Sequence, residues 1–164
     1  MPVIIREIQP TDNQPLAAMI RKVFREFKID MPGTVYTDPT TDALYELFRA
    51  PGSKYYVAVE NGSIIGGCGY FPTNGLPVGY AELVKFYVVA EARGKQIGKQ
   101  LMFKIMEEAA SQGYTHLYLE SFPNLEKAIA MYEKSGFYKI NRPLGNSGHY
   151  SCDVWMVKKL NNSL

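Results

Sequence analysis

A short basic turn in the middle of the chain carries the residues best suited to bind an anion. It reads Arg93-Gly94-Lys95-Gln96-Ile97-Gly98-Lys99 and lies between a β-branched and aromatic run, Leu83–Val89, and a segment with helical periodicity. A strand, a glycine-containing turn and a helix start together present unpaired backbone N–H groups, and the helix dipole attracts negative charge. The turn therefore predicts a binding site for a phosphate group.

The spacing of this turn argues against two common nucleotide sites. A P-loop needs four residues between its first glycine and the Gly-Lys pair, followed by Ser or Thr. Here three residues separate Gly94 from Gly98, and Gln100 follows Lys99. A dinucleotide fingerprint needs three spaced glycines near the first strand of a βαβ unit, whereas this turn has two and lies mid-chain. A plain strand-to-helix turn with a solvated basic face remains an alternative.

The turn resembles the acyl-CoA signature of the GNAT superfamily of N-acetyltransferases. That signature runs Arg or Gln, two residues, Gly, one residue, and Gly or Ala, directly after a long strand. Arg93 fills its first position and Gly98 its last, while Gln96 replaces the first glycine. Most of the binding would come from backbone N–H groups, which Gln96 retains.

A second resemblance lies further along the chain. The segment LEKAIAMYEKSGF, residues 125–137, is similar to the last major helix of the same family, which ends Ala-x-x-x-Tyr-x-x-x-Gly-Phe. Four residues fill these positions, namely Ala128, Tyr132, Gly136 and Phe137. The order of predicted elements over residues 3–160, β-α-α-β-β-β-α-β-α-β-β, is also similar to that of the family.

The resemblance implies a single N-acetyltransferase domain over residues 1–164. It predicts an α/β (α+β) fold with a mixed, mostly antiparallel central sheet of six to seven strands and about four flanking helices. The predicted strands are Val3–Ile8, Tyr55–Glu60, Ile64–Phe71, Leu83–Val89, His116–Leu119, Phe137–Ile140 and Val154–Val157. Gly66, Gly67 and Gly69 weaken the third of these strands and indicate a bulge or a close approach of another chain or a ligand.

The implied co-substrate is acetyl-CoA. By resemblance, the backbone of the long strand pairs with the pantetheine arm, and the amides of the basic turn hold the pyrophosphate. Asn124 is either a polar contact of the pantetheine or a cap of the following helix. The predicted binding residues are Phe86, Tyr87, Val88, Arg93, Gly94, Lys95, Gln96, Ile97, Gly98, Lys99 and Asn124.

Acetyl transfer to an amine needs a neutral amine, a polarised thioester carbonyl and a proton for the leaving thiolate. The resemblance implies Tyr132 as the general acid, with a core tyrosine as the alternative. The backbone N–H near Val88 would polarise the carbonyl. For the base, acting through water, Glu82 and Glu120 both resemble family positions, in the histone-acetylating and the ribosomal-protein-acetylating branch respectively. Strict alternation places Glu82 on the same face as Val84, Phe86 and Val88, unless a bulge in the strand changes that parity.

Composition limits the partners. The formal charge of +2 gives no argument for nucleic acid. No apolar run approaches the ~18 residues of a membrane span, and no secretory signal opens the chain, so a cytoplasmic location is expected. Cys68 and Cys152 are expected to be buried free thiols within strands, and no metal site is predicted. His116 and His149 are expected to have no chemical role.

The predicted function is acetyl transfer from acetyl-CoA to a primary amine of a small molecule or peptide, by direct attack in a ternary complex. Two alternatives remain, a non-catalytic acyl-CoA-binding module and a protein-lysine acetyltransferase. The variable segments Gln14–Pro51 and Pro143–Gly148 are expected to shape the acceptor site. A homodimer is possible, since dimers are common in the family.

Overall fold

The fold is one twisted sheet with helices on both faces. The computed structural model describes residues 2–148 and 150–160. The strands are β1 Ile4–Glu7, β2 Lys54–Glu60, β3 Ser63–Phe71, β4 Tyr80–Val88, β5 His116–Ser121, β6 Tyr138–Ile140 and β7 Val154–Lys159. The helices are α1 Asn13–Glu26, α2 Leu44–Leu47, α3 Ile97–Ser111 and α4 Glu126–Lys134. Among the described residues, no helix is long and apolar enough to span a membrane.

The seven strands form one sheet in the order β1-β2-β3-β4-β5-β7-β6. The pair β4–β5 is parallel, and every other pair is antiparallel. The predicted mixed, mostly antiparallel sheet with about four helices is therefore confirmed.

Two hydrophobic clusters cover the two faces of the sheet. Leu16, Ile20 and Phe24 of α1 lie in one cluster, and Leu101 and Ile105 of α3 lie in the other. All five side chains are at most 1% exposed. Each such side chain stabilises the fold by about 1.5–3 kcal/mol on burial. The two helices thereby fix the central strands that form the walls of the site.

The segment between α1 and β2 differs from its prediction. The sequence predicts a short helix in this segment, capped by Thr40, Thr41 or Asp42 and running through Phe48. Instead, the side chain of Asp38 accepts a hydrogen bond from the backbone N–H of Thr40, 2.9 Å away, and caps a 3₁₀ turn. The α-helix that follows, α2, has only four residues. Pro39 after Asp38 favours this earlier cap, because proline suits the first helical position.

A β-bulge interrupts β4 beside the predicted site. Two residues of β4, Lys85 and Phe86, lie opposite the single residue Cys68 of β3. Lys85 has a φ of 52°, in the left-handed region, which costs a residue with a side chain roughly 1–2 kcal/mol. The buried Tyr55 hydroxyl donates a hydrogen bond to the Lys85 carbonyl, 2.7 Å away, and holds the bulge in place.

The glycines of β3 make room for this contact. A Cβ at Gly67 would lie 2.4 Å from the Tyr55 hydroxyl oxygen, and a Cβ at Gly69 would lie 2.6 Å from the Tyr55 ring. Larger residues would therefore displace the ring that holds the Lys85 carbonyl. The predicted bulge is therefore present, with its extra residue on β4, whereas the close approach at these glycines is made by a side chain of the same chain rather than by another chain or a ligand.

The bulge changes which side chains share a face of the sheet. Val84 and Tyr87 pack with the cluster around α1, whereas Phe86 and Val88 pack against the cluster around α3. The prediction that side chains alternate strictly between the two faces along β4 is therefore wrong beyond the bulge. Because β4 alternates regularly before the bulge, Glu82 shares its face with Val84 and Tyr87.

Candidate active site

The site is a cleft between β4 and β5, which separate after a short parallel pairing. Pairing between these strands runs only from Tyr80–His116 to Glu82–Tyr118. Beyond Glu82, β4 keeps its ladder with β3, while its other edge opens toward the cleft. Phe86 and Tyr87 line this opening. Val88 continues the same edge.

A row of unpaired amides lies next to the cleft, where Gly98 faces the ring of Phe86. Within the described chain, six successive N–H groups donate to no backbone carbonyl, those of Gly94, Lys95, Gln96, Ile97, Gly98 and Lys99. The first regular bond of α3 runs from the N–H of Gln100 to the carbonyl of Gln96, at 3.0 Å. The row therefore combines unpaired donors with the positive end of the helix dipole, as anion binding requires.

Gln96 occupies the position at which the signature has its first glycine. It is the N-cap of α3 and has a φ of 66°, a conformation that glycine adopts without a steric cost. The chain thus forms the expected turn despite the departure from the signature. The side chains of Lys95 and Lys99 are exposed and add positive charge to this end of the cleft.

The side chains of Arg93 and Asn124 are engaged elsewhere. The Arg93 guanidinium forms a bidentate ion pair with Glu26 and donates to the Val88 carbonyl at 3.1 Å. The Asn124 amide donates to the Phe27 carbonyl at 3.3 Å. Asn124 does not cap α4, because Leu125 is the N-cap, so that alternative is wrong. Both side chains join the end of α1 to the segments around the cleft.

Tyr132 lies in the cleft wall, where the structure brings it beside β4. Its ring contacts Phe86 with centroids 6.0 Å apart and Phe137 with centroids 5.7 Å apart. The side chain is 6% exposed, and its hydroxyl makes no hydrogen bond within residues 2–148 and 150–160. Burial raises the pKa of the Tyr132 phenol well above its ordinary value, with a smaller contribution from Cys68. The phenol is therefore protonated at neutral pH and available as a donor.

The structure also brings both predicted carboxylates to the cleft. Glu82 is 4% exposed and accepts a hydrogen bond from the Thr73 hydroxyl at 2.6 Å. Glu120 accepts one hydrogen bond at each oxygen, from the Tyr118 hydroxyl at 2.7 Å and from the Ser147 hydroxyl at 2.6 Å. Both residues line the same cleft as Tyr132.

Two further residues of the cleft were not predicted as part of it. Cys152 was expected within a strand, but it precedes β7 and lines the cleft instead. Burial, together with Glu120 and Glu82, raises the pKa of its thiol to about 12, so it stays protonated at neutral pH. Lys85 lines the cleft through the bulge, which no local sequence pattern indicates. The glycines of β3 are the signal that could have suggested an irregular strand there.

The connection between β6 and β7 reaches the cleft at Cys152 and contacts three other parts of the chain. In this connection, the N–H of Leu144 donates to the Tyr118 hydroxyl at 3.0 Å, and the N–H of Asn146 donates to the Asn74 carbonyl at 2.7 Å. The Ser151 hydroxyl donates to the Pro32 carbonyl at 2.6 Å. His149 lies outside the described residues, and His116 stacks on Tyr80 with ring centroids 4.3 Å apart.

Comparison with known proteins identifies the family of this chain. A sequence model of the Acetyltransferase (GNAT) family matches residues 19–137. The chain belongs to this family. The uncharacterized N-acetyltransferase YjgM of Escherichia coli K12 is 36% identical over 158 residues, covering 96% of this chain and 95% of the relative. IAA acetyltransferase of Azospirillum brasilense is 35% identical over 112 residues, covering 67% of this chain and 70% of the relative.

Solved GNAT structures share the fold. A GNAT family acetyltransferase from Staphylococcus aureus Mu50 matches with a TM-score of 0.86 at 22% identity, covering 98% of this chain and 100% of that chain. PaiA N-acetyltransferase from Thermoplasma acidophilum, in complex with coenzyme A, matches with a TM-score of 0.76 at 20% identity, covering 97% and 99% of the two chains.

As a GNAT member, the protein is an acyltransferase that uses acetyl-CoA. The family match ends at Phe137, so β6, β7 and the connection between them lie outside it. This connection reaches the cleft at Cys152. Its side chains are therefore the part of the site that the family pattern predicts least.

Proposed function

We propose that the enzyme transfers the acetyl group of acetyl-CoA to the primary amine of an acceptor, by direct attack while both substrates are bound. Acetyl-CoA supplies the activated thioester. The observation that supports this proposal is the set of groups gathered around one cleft. Tyr132, Glu82 and Phe86 line the cleft, and Gly98 of the amide row lies beside the Phe86 ring, from which a Cβ at Gly98 would be 3.4 Å away.

The amide row would hold the diphosphate of the donor, and the open edge of β4 would pair with its pantetheine arm. Backbone N–H groups do not titrate near neutral pH, and the fold of the chain fixes their direction. The site is therefore organised before binding. The N–H near Val88 would polarise the thioester carbonyl. Arg93, whose side chain is engaged by Glu26, would contribute through its backbone position.

Tyr132 would donate a proton to the departing sulfur. A general acid must hold its proton until the transition state, and burial keeps the Tyr132 phenol in its neutral form. Because its hydroxyl makes no hydrogen bond within the described part of the chain, it loses no internal partner when it donates.

Glu82 would accept a proton from the acceptor amine, through a water molecule. Both oxygens of Glu120 accept hydrogen bonds from hydroxyl groups within the protein, and these bonds hold the carboxylate in a fixed position. They also connect Glu120 to the segment between β6 and β7. We therefore propose that Glu120 organises the acceptor end and that Glu82 acts as the base.

Thiol release from acetyl-CoA in the presence of a panel of primary amines tests the proposed function. We expect at least one amine to raise the rate of thiol release above the rate without acceptor, with a matching N-acetylated product by mass spectrometry. If CoA binds but no amine is acetylated, the protein is a non-catalytic acyl-CoA-binding module.

Replacing each carboxylate separately distinguishes their roles. We expect Glu82→Gln to lower kcat about 100-fold or more at neutral pH, because general bases contribute typically 10²–10⁴-fold. The deficit should shrink as the pH approaches the pKa of the acceptor amine, because the amine then arrives already neutral. We expect Glu120→Gln to raise KM for the acceptor and to change kcat less than tenfold, roughly the effect of one lost hydrogen bond.

Rate profiles against pH for both variants provide the measurement. Thr73→Val is the matched control, since it removes the hydroxyl that donates to Glu82 but keeps the carboxylate. A larger loss of kcat in Glu120→Gln than in Glu82→Gln would reverse the assignment.

A further inference from the structure

A lysine lies buried in the cleft, where the proposed reaction does not use it. Lys85 is the left-handed residue of the β4 bulge and lines the cleft together with Glu82, Glu120 and Tyr132. It is 7% exposed, whereas lysines are almost never fully buried unless they are paired. Its position is set by the bulge, which the hydrogen bond from Tyr55 holds.

The positive charge of the buried Lys85 amino group is only partly stabilised by its surroundings. Within residues 2–148 and 150–160, no carboxylate lies within ion-pair distance of it. Asp38 and Glu82 are close enough to favour its charged form, but burial dominates and lowers the pKa of Lys85. Asp38 also accepts hydrogen bonds from Thr40, and Glu82 accepts one from Thr73. Burying a charge without a close partner is costly, so an anionic ligand would find a strong binding position here.

The charges of the cleft match a molecule that carries both signs. A primary ammonium entering the cleft would be attracted by Glu82 and Glu120, whereas a carboxylate would be attracted by Lys85. A polyamine would bring a second cation toward the buried Lys85, and the repulsion between the two charges would weaken its binding. A neutral amine would leave Lys85 without a partner.

The acceptor end also limits size. The connection between β6 and β7 joins the loops around Pro32 and Asn74 through hydrogen bonds of Ser151 and Asn146. These bonds restrain the segment that precedes Cys152 of the cleft, and a small acceptor would displace it less than a folded protein surface would.

We infer that the acceptor is a free α-amino acid or a close analogue, and that Lys85 binds its carboxylate while its amine is acetylated. This inference rests on the proposed function and specifies its substrate class. Lys85 is in this view a specificity-determining residue, because it contacts the acceptor at a group that does not react.

Matched acceptors test the inference on the unmodified enzyme. For several side chains, the amino acid is compared with its carboxamide and with the decarboxylated amine, for example phenylalanine, phenylalaninamide and phenethylamine. We expect kcat/KM to be about 10- to 100-fold higher for the preferred amino acid than for its two uncharged counterparts, as for one charge-assisted contact. Equal or faster acetylation of the counterparts across the panel would overturn the inference and leave the proposed function standing.

The variant Lys85→Met then assigns the preference to one side chain. We expect it to raise KM for the amino acid about 10- to 100-fold, to change kcat little, and to leave the decarboxylated amine unaffected. Lys85→Arg should recover part of the preference. Lys139→Met, at an exposed lysine of β6, is the matched control and should behave as wild type.

A binding measurement separates this inference from the proposed function. Calorimetry of amino acids titrated into the CoA-bound protein does not depend on turnover. We expect binding to wild type and to Lys139→Met, and weaker binding to Lys85→Met. If no amino acid of the panel binds to wild type, the inference fails. If amino acids bind through Lys85 but no acceptor is acetylated, the catalytic proposal fails and the site assignment stands.

Discussion

The variant Tyr132→Phe is expected to lose at least about 100-fold in kcat while binding acetyl-CoA as tightly as wild type. Removing a general acid typically costs 10²–10⁴-fold, because the sulfur must then leave without a proton. The binding of the donor should not change, because the amide row that would hold it lies elsewhere in the cleft. Thiol-release kinetics and calorimetry with CoA measure the two quantities separately.

The fold should tolerate this change. The ring of Tyr132 supplies its packing against Phe86 and Phe137, and phenylalanine retains that ring. The hydroxyl makes no hydrogen bond within the described residues, so its removal leaves no internal partner unsatisfied. Tyr138→Phe, at an exposed tyrosine of β6, is the matched control. A Tyr132→Phe enzyme with wild-type kcat would assign Tyr132 to packing alone, the alternative that the sequence left open.

Local sequence was sufficient to predict the strand, turn and helix start around residues 93–99. The turn of residues 93–99 and the helix around Tyr132 are each encoded within a single short segment, so spacing alone places their groups. Gln96 illustrates the limit of this reasoning. The sequence showed that a glycine was replaced, but not that the backbone retains the left-handed conformation that glycine would favour.

The part of the cleft around Lys85 and Glu120 could not be predicted in this way, because its contacts join segments that are distant in sequence. The bulge at Lys85 is held by a hydrogen bond from Tyr55, and one oxygen of Glu120 accepts a hydrogen bond from Ser147. Arg93 matches the signature locally, yet its side chain pairs with Glu26, 67 residues away. A strand pattern that alternates by two cannot reveal an extra residue until its partner strand is known.

The β3 glycines connect these two levels. The sequence predicts an irregular strand at Gly67 and Gly69. The structure adds the reason, because the ring of Tyr55 lies against both glycines. They admit a tyrosine ring, the ring holds a bulge, and the bulge turns a lysine into the cleft. Specificity in this enzyme would therefore depend on residues that never contact a substrate.

The variant Gly98→Glu is expected to abolish detectable CoA binding by calorimetry, and with it all activity. Gly98 lies in the amide row, so a glutamate there places a negative charge close to the expected diphosphate. Like charges about 5 Å apart near a protein surface repel by roughly 3 kcal/mol, which corresponds to more than 100-fold in affinity. The helix itself should not suffer, because acidic residues in the first turn stabilise a helix and glycine is a poor helix former.

Two matched variants separate charge from size at this position. A Cβ at Gly98 would lie 3.4 Å from the Phe86 ring and 3.6 Å from the Met131 sulfur, which are ordinary contact distances. Gly98→Ala should therefore fold and bind CoA nearly as well as wild type. Gly98→Gln has the size of the glutamate without its charge, so it should retain more affinity than Gly98→Glu, and most clearly at low salt. Equal heats of CoA binding for wild type and Gly98→Glu would remove the amide row from the donor site, and with it the physical basis of the proposed reaction.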